Sequence, residues 1–235
     1  GDDINEYALT TGFDVSTASY TQNFSVAAQD TVPSGITFNT DGTKMFITGQ
    51  AGADVNEYAL STGFNISTAS YTQNFSVSAQ ETSPQAIAFN TDGTKMFIVG
   101  ASGDVNEYAL TTGFDVSTAS YSQDFSVGTQ EAGPTGMAFN SSGTQMFIVG
   151  YNNNTVYQYT LSSAFNLSTA SYSSVSFSVA SQETSSNGLA LSSDGSKFFI
   201  TGSSGDDVNE YSSPLALTLG TGSFASTDVG KTIEI

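Results

Sequence analysis

The sequence predicts an all-β fold, a propeller of four-stranded antiparallel blades, from three observations. The stretch Pro84-Gln85-Ala86-Ile87-Ala88-Phe89-Asn90-Thr91-Asp92-Gly93-Thr94-Lys95-Met96-Phe97-Ile98-Val99-Gly100 has close copies from Pro33 and Pro134 and a looser one from Ser186. Tyr7, Tyr58, Tyr108, Tyr159 and Tyr211 follow one another at intervals of 51, 50, 51 and 52 residues. No helical periodicity accompanies this repeat, and a period near 50 made of short strands is the mark of propeller blades rather than of helical solenoids.

Each element of the unit has its own reason. Ile87 and Phe89 alternate with small residues, Met96 and Ile98 alternate with Lys95 and Phe97, and Asp92-Gly93 stands where a bend needs positive φ, so the stretch reads as a hairpin of strands A and B. Ile87, Phe89, Met96 and Ile98 are expected in the core. Strand C surrounds the repeated tyrosine: Ile4 to Leu9, Val55 to Leu60, Val105 to Leu110, Val156 to Leu161 and Val208 to Tyr211. The Gly-Phe-Asp-Val-Ser-Thr-Ala-Ser segment from Gly12 is a surface loop in which Asp14 caps a short helical turn. Strand D alternates Tyr20, Gln22, Phe24 and Val26 on one face with Thr21, Asn23 and Ser25 on the other, as a half-exposed outermost strand does.

Residues 1–212 are thus propeller repeats. Segment 213–235 loosely echoes the A–B hairpin in Phe224, Asp228, Gly230 and its alternating end. Five blades are expected if this hairpin joins the N-terminal C and D strands, so that the two ends of the chain close the ring. The alternative is a four-bladed ring completed by the N-terminal pair, with 213–235 as an arm to a neighbouring subunit; unpaired edges would then make the chain a self-assembling filament subunit.

Composition narrows the function. Four lysines, no arginine and 22 acidic residues leave a net charge of −18, which disfavours nucleic acid and anionic membranes as partners. No 18-residue apolar run occurs, so membrane insertion is not expected. Cysteine, histidine and arginine are absent, which excludes Ser-His-Asp and Cys-His catalysis, histidine or thiolate metal sites and arginine clamps. Carboxylates remain. The D-to-A and B-to-C loops should gather Asp30, Glu81, Glu131 and Glu183 with Asp54, Asp104 and Asp207 on one face, where calcium is the cation that oxygen ligands would suit, although no Asp-x-Asp-x-Asp-Gly loop is present and a solvated acidic rim is the plainer reading. No cofactor is required. Glu6, Glu57, Glu107 and Glu210 precede the strand-C tyrosines, but Gln158 takes the place of a fifth, which suits a hydrogen-bonding or solvated position and not a catalytic one.

The pattern Pro-x-Gly-Ile-x-Phe-Asn-x-Asp-Gly-Thr-Lys-x-Phe-Ile followed by Val-x-x-Tyr resembles the blade motif of lactonase-like (YVTN-type) β-propellers over nearly the whole chain up to Tyr211. The longer unit, with Gly-Phe-Asp-Val-Ser-Thr-Ala-Ser-Tyr, also resembles repeats of marine bacteriophage tail or appendage proteins. The first resemblance implies a propeller with enzymatic relatives; the second implies an extracellular or virion-surface setting. The missing catalytic residue types and the Ser/Thr/Asn-rich surface favour a non-enzymatic binding or structural module engaging a host glycan or a protein. Phe13, Phe64, Phe114, Phe165 and Tyr151 are the loop aromatics available for sugar stacking. A secreted calcium-dependent lactonase- or hydrolase-like enzyme is the competing class.

Overall fold

The alternating strands fold into antiparallel meanders in the computed structural model, which describes residues 2–212. The first two strands, β1 (Asp3–Leu9) and β2 (Ala18–Ser25), form a two-stranded sheet. Three four-stranded sheets follow. The first contains β3 (Pro33–Phe38), β4 (Lys44–Gly49), β5 (Asp54–Leu60) and β6 (Ala69–Ser76). The second contains β7 (Pro84–Phe89), β8 (Lys95–Gly100), β9 (Asp104–Leu110) and β10 (Ala119–Ser126). The third contains β11 (Pro134–Phe139), β12 (Gln145–Gly150), β13 (Thr155–Leu161) and β14 (Ala170–Ser178). The last sheet has three strands among the described residues, β15 (Ser186–Leu191), β16 (Lys197–Gly202) and β17 (Val208–Ser212). Strands β3, β7, β11 and β15 surround the axis, where Ile36, Ile87, Met137 and Leu189 line a channel of about 310 Å³.

The molecule is therefore a propeller, with a blade count that differs from the expected five. Among the described residues four sheets carry the inner hairpin and reach the axis, which is the number of the alternative. That alternative also made the N-terminal pair complete the last blade. Instead β1 and β2 pair with each other and with no further strand among the described residues, so they form a ribbon without inner strands. The ribbon touches both the last sheet, where Val15 N–H donates to Glu210 at 3.0 Å, and the first four-stranded sheet, where Ile66 N–H donates to Glu6 at 3.2 Å. The ring-closing or arm-like role of 213–235 lies outside the described residues.

Local chemistry explains the connections. Gly42, Gly93, Gly143 and Gly195 take φ of 68–72° in the A–B turns, a left-handed conformation that glycine adopts without a Cβ clash. Asp92 Oδ1 accepts the Thr94 N–H at 3.0 Å and its hydroxyl at 2.6 Å, holding the turn. In the C–D loops, Asp14, Asn65, Asp115 and Asn166 cap the 3₁₀ turns Val15–Thr17, Ile66–Thr68, Val116–Thr118 and Leu167–Thr169. The expected cap is thus present in all four.

Core packing extends beyond the expected residues. Ile87, Met96 and Ile98 are buried as expected, while Phe89 is only half-buried and Phe97, placed opposite Met96 and Ile98, is fully buried. The reason is that a blade stands between two others, so its second strand is covered on both faces. Ile98 and Met96 pack with Phe46 and Val55 of the preceding blade, and Phe97 and Val99 pack with Met137 and Met146 of the next.

A polar clasp ties neighbouring blades together inside this apolar contact. Glu57, on β5, is buried, forms an ion pair with Lys44 at 2.8 Å, accepts from Gln73 Nε2 at 2.9 Å, and accepts the Val116 N–H of the next blade at 3.2 Å. Lys44 Nζ also donates to the Phe114 carbonyl of that blade at 2.6 Å. Lys95 and Glu107 make the same contacts with Phe165 and Leu167. Where the following sheet lacks the capped turn among the described residues, both charges are gone together: Gln145 and Gln158 occupy the lysine and glutamate positions of the β11–β14 blade. The exchange follows from the cost of a buried charge that has lost its partner. Lys95→Gln and Glu107→Gln are accordingly expected to destabilise more as single changes, summed, than as a pair. A coupling of about 0.5–3 kcal/mol in urea unfolding would be typical of groups in direct contact, and strict additivity would show that the clasp is not a unit.

Candidate functional site

The acidic loop residues come to the face where the D-to-A and B-to-C loops meet, one hook per blade. Glu81 Oε1 accepts the Ser83 N–H at 2.8 Å, and its Oε2 accepts the Ser102 N–H at 3.0 Å and hydroxyl at 2.6 Å. Asp30 accepts from Val32 and Gly52, Glu131 from Gly133 and Asn153, and Glu183 from Ser185, Ser204 and Gly205. All four carboxylates are buried. Room for them comes from the glycine that ends each second strand, since a Cβ on Gly49, Gly100, Gly150 or Gly202 would meet the carboxylate. Each hook therefore stitches two loops of one blade with oxygen atoms that a cation would otherwise use.

The remaining acidic candidates are separate from the hooks. Asp54 is buried and accepts from the side chains of Asn56 and Asn74 at 2.8 and 2.6 Å. Asp104 is half-buried, and Asp207 is exposed and accepts from Asn209. Among the described residues, no three acidic side chains come together in a group suited to one metal ion. For calcium, the geometry consequently offers single carboxylates on successive blades, whereas six to eight oxygens must converge on that ion.

The four loop phenylalanines adopt left-handed backbone conformations, with φ of 57° at Phe13, 60° at Phe64, 57° at Phe114 and 53° at Phe165. Such a conformation is unfavourable for a bulky side chain and persists only where surroundings hold it. Here the hold is visible. Phe114 N–H donates to the Gly93 carbonyl at 3.0 Å, its ring covers Gly93, and its centroid lies 5.3 Å from Phe89 and 6.3 Å from Phe46 of the preceding blade. Phe165 is seated likewise on Gly143, Phe139 and Phe97. Phe13, in the loop that joins the two ribbon strands, and Phe64, on the adjoining four-stranded sheet, remain about half exposed, at 45% and 55%. Tyr151 lies over Gly133 and is 53% exposed.

A further aromatic set was not singled out by the sequence reading. Tyr20, Tyr71 and Tyr121 open the outer strands β2, β6 and β10 and are 57%, 44% and 43% exposed. Each packs edge-on against the strand-C tyrosine beside it, Tyr7, Tyr58 or Tyr108, with centroids 5.8–5.9 Å apart. Simple alternation places Tyr20 on the same face as Phe24, yet pairing jumps from Tyr7↔Tyr20 to Glu6↔Gln22, and the same bulge recurs in β6 and β10. The extra residue changes the local direction of the strand, as bulges do. Polar groups accompany the exposed rings: Tyr121 hydroxyl donates to Asp124 at 2.5 Å. The signal available in the sequence was the repeat of Ala-Ser-Tyr at the start of each outer strand.

Burial raises the pKa of the inner tyrosines, pushing Tyr58 up to about 12. The turn carboxylates move the other way. Asp194 is lowered to about 2 by its hydrogen bonds from Ser192 and Ser196, and Asp92 is lowered by Thr94. Burial pushes Glu183 up, but donors from Ser185, Ser204 and Gly205 outweigh it and leave the group below its ordinary value. A folded-state value below the unfolded one means that these carboxylates contribute stability above about pH 4, near the unfolded carboxyl range. For Asp194 the contribution is lost as pH falls towards about 2. Carboxyl chemical shifts followed through acid titration should place the Asp194 midpoint near that value, and a midpoint close to the ordinary 3.8 would contradict the bonding described.

No protein-family model matches the chain, and no curated protein matches it. Solved structures resemble it at the level of the fold. A functionally unknown protein from Desulfotomaculum acetoxidans DSM 771 has a TM-score of 0.55 at 12% identity, with 93% of this chain and 62% of that chain covered. A provisionally assigned 6-phosphogluconolactonase from Bacteroides fragilis NCTC 9343 has a TM-score of 0.55 at 10% identity, with coverages of 90% and 60%. The Cps50 (Swd1) β-propeller domain of Myceliophteria thermophila has a TM-score of 0.50 at 11% identity, with coverages of 77% and 53%. This chain thus spans between 53% and 62% of the length of these structures. The lactonase-like resemblance of the blade motif holds as a shared propeller architecture.

Proposed function

We propose that this chain is a non-enzymatic binding module that works outside the cell, displayed on a surface fibre or virion appendage, and engages a glycan or a polar protein surface. The observation that carries the reading is the exposed tyrosine repeated on successive outer strands, Tyr20, Tyr71 and Tyr121, each set among serine and threonine with an asparagine or aspartate three residues on. An exposed aromatic face beside amide, hydroxyl and carboxylate groups suits the apolar face and hydroxyl edge of a sugar ring, and tyrosine contributes large contact area with few rotatable bonds. Repetition around the propeller adds the second element, because several weak contacts held on one rigid scaffold gain strength from effective concentration. The formal charge of −18 favours neutral or cationic partners over phosphate-rich ones.

A glycan array probed with the intact chain tests the proposal. Replacing Tyr20, Tyr71 and Tyr121 together by alanine should abolish binding while the chain still unfolds in one cooperative transition, since each ring is about half exposed. Retained binding by the triple variant would reject the tyrosine surface as the site. Incubation with lactones and glycosides, with and without a chelator, addresses the competing class. Turnover that depends on calcium would replace the binding proposal with an enzymatic one.

A further inference from the structure

One blade departs from a polar contact that the sheets before it share. In the ribbon, Asn23 Nδ2 donates to Asp3 at 3.1 Å. In the β3–β6 blade, Asp54 accepts from Asn56 at 2.8 Å and from Asn74 at 2.6 Å. The β7–β10 blade keeps the aspartate as Asp104 and the strand-C asparagine as Asn106, but Asp124 stands where Asn23 and Asn74 stand. A donor amide has become a second carboxylate, so the contact that closes in the preceding sheets has no donor here.

The ladder brings these groups together. Asp124 pairs directly with Asn106, and Asp104 lies two residues before Asn106, so all three side chains share one face of the sheet. Tyr121 joins them from the outer strand. Its hydroxyl donates to Asp124 Oδ1 at 2.5 Å, and that bond, then burial, then the charges of Asp124 and Asp104 push its pKa up. What the face lacks is partners. Asn106 is only 4% exposed, and its Nδ2 is buried without a hydrogen-bond acceptor. Among the described residues no group donates to the Asp104 carboxylate or to Asp124 Oδ2, and the lysine ion pairs all go to strand-C glutamates. A buried unpaired amide beside two facing carboxylates is unfavourable, and a ligand carrying both a cationic donor and an acceptor would relieve it.

We infer that Asp104 and Asp124 hold the ammonium group of an amino sugar, whose neighbouring hydroxyl oxygen accepts from Asn106 and whose ring lies against Tyr121. The inference rests on the aromatic glycan surface proposed above and adds the class of sugar that one blade selects. An ammonium supplies N–H donors where Asn74 supplies one in the preceding blade, and its charge offsets the repulsion between the two carboxylates. Calcium is a poorer occupant, because two carboxylates fall short of the six to eight oxygens it takes. Tyr121 is 43% exposed, and an aromatic face beside the carboxylates attracts the same cation. Tyr20 and Tyr71 stand beside closed Asp–Asn contacts, so the preference for an amine belongs to the β7–β10 blade and not to theirs.

Calorimetric titration of the intact chain with a glucosamine oligosaccharide and with its N-acetylated counterpart tests the inference, at about 0.15 M salt so that distant surface charges are screened. The amine form should bind about tenfold or more tightly, the effect of a charge-assisted hydrogen bond. Asp124→Asn recreates the arrangement of Asn74, keeps every tyrosine and should remove this preference. Asp206→Asn removes an exposed charge elsewhere and should leave it intact. Equal binding of the two oligosaccharides, or a preference that survives Asp124→Asn, overturns the inference while leaving the tyrosine surface standing. A preference lost equally in both variants is owed to overall charge and overturns it as well. A lysine-containing peptide that binds as tightly as the glucosamine oligosaccharide, and is lost with Asp124→Asn, replaces the sugar by a protein partner. Failure of the underlying glycan reading looks different, since the triple tyrosine variant then keeps its binding.

Discussion

The contact that locks the three four-stranded blades to one another is the buried glutamate of strand C, shared between two blades. Glu57 takes a lysine and a glutamine from its own sheet and a backbone N–H from the next, so one side chain satisfies groups on both sides of a blade boundary. Burying a carboxylate is costly unless it is paired and hydrogen-bonded, and here both conditions are met by residues that recur with it. The clasp also fixes orientation. A lysine that must reach both Glu57 and the Phe114 carbonyl defines how far one blade is displaced along the next. The strained phenylalanines belong to the same device: Phe114 places its carbonyl towards Lys44 while its ring fills the space above Gly93.

Much of the fold was legible because its signals are local and repeated. The hairpin residues, the turn glycines and the capping Asp14 act within a few positions of themselves, and tyrosine spacing gave the period directly. Burial on both sides of Phe97 was not legible, since alternation marks one apolar face and cannot tell that a second blade covers the other. The blade count depended on pairing between distant parts of the chain, which no local pattern encodes. The glutamates show the same limit: the joint replacement of lysine and glutamate by Gln145 and Gln158 was present in the sequence, but its meaning required knowing that these positions touch.

For the candidate sites, residue type was informative and position less so. The hook carboxylates lie on the D-to-A loops, and their oxygens turn inward to backbone N–H groups because the glycines opposite leave space there. The loop phenylalanines looked like free aromatic surface, whereas the rings of Phe114 and Phe165 are seated against other rings. Alternation put Tyr20 on the same face as Phe24, and the bulge that separates the two faces is a property of the strand pairing, which alternation does not carry.

Repetition has a consequence for how the chain finds its pairing. Strands β2 and β6 have the same sequence, Ala-Ser-Tyr-Thr-Gln-Asn-Phe-Ser, and β5 and β9 are likewise identical. A strand C of one unit therefore gains nearly the same energy from the strand D of another, and side-chain complementarity cannot discriminate between them. What discriminates is the short connection, whose closure entropy favours the partner a few residues away over one a whole unit distant. The polypeptide tells its identical parts apart by their separation along the backbone, so lengthening a C–D loop would weaken kinetic fidelity even where every native contact remained available.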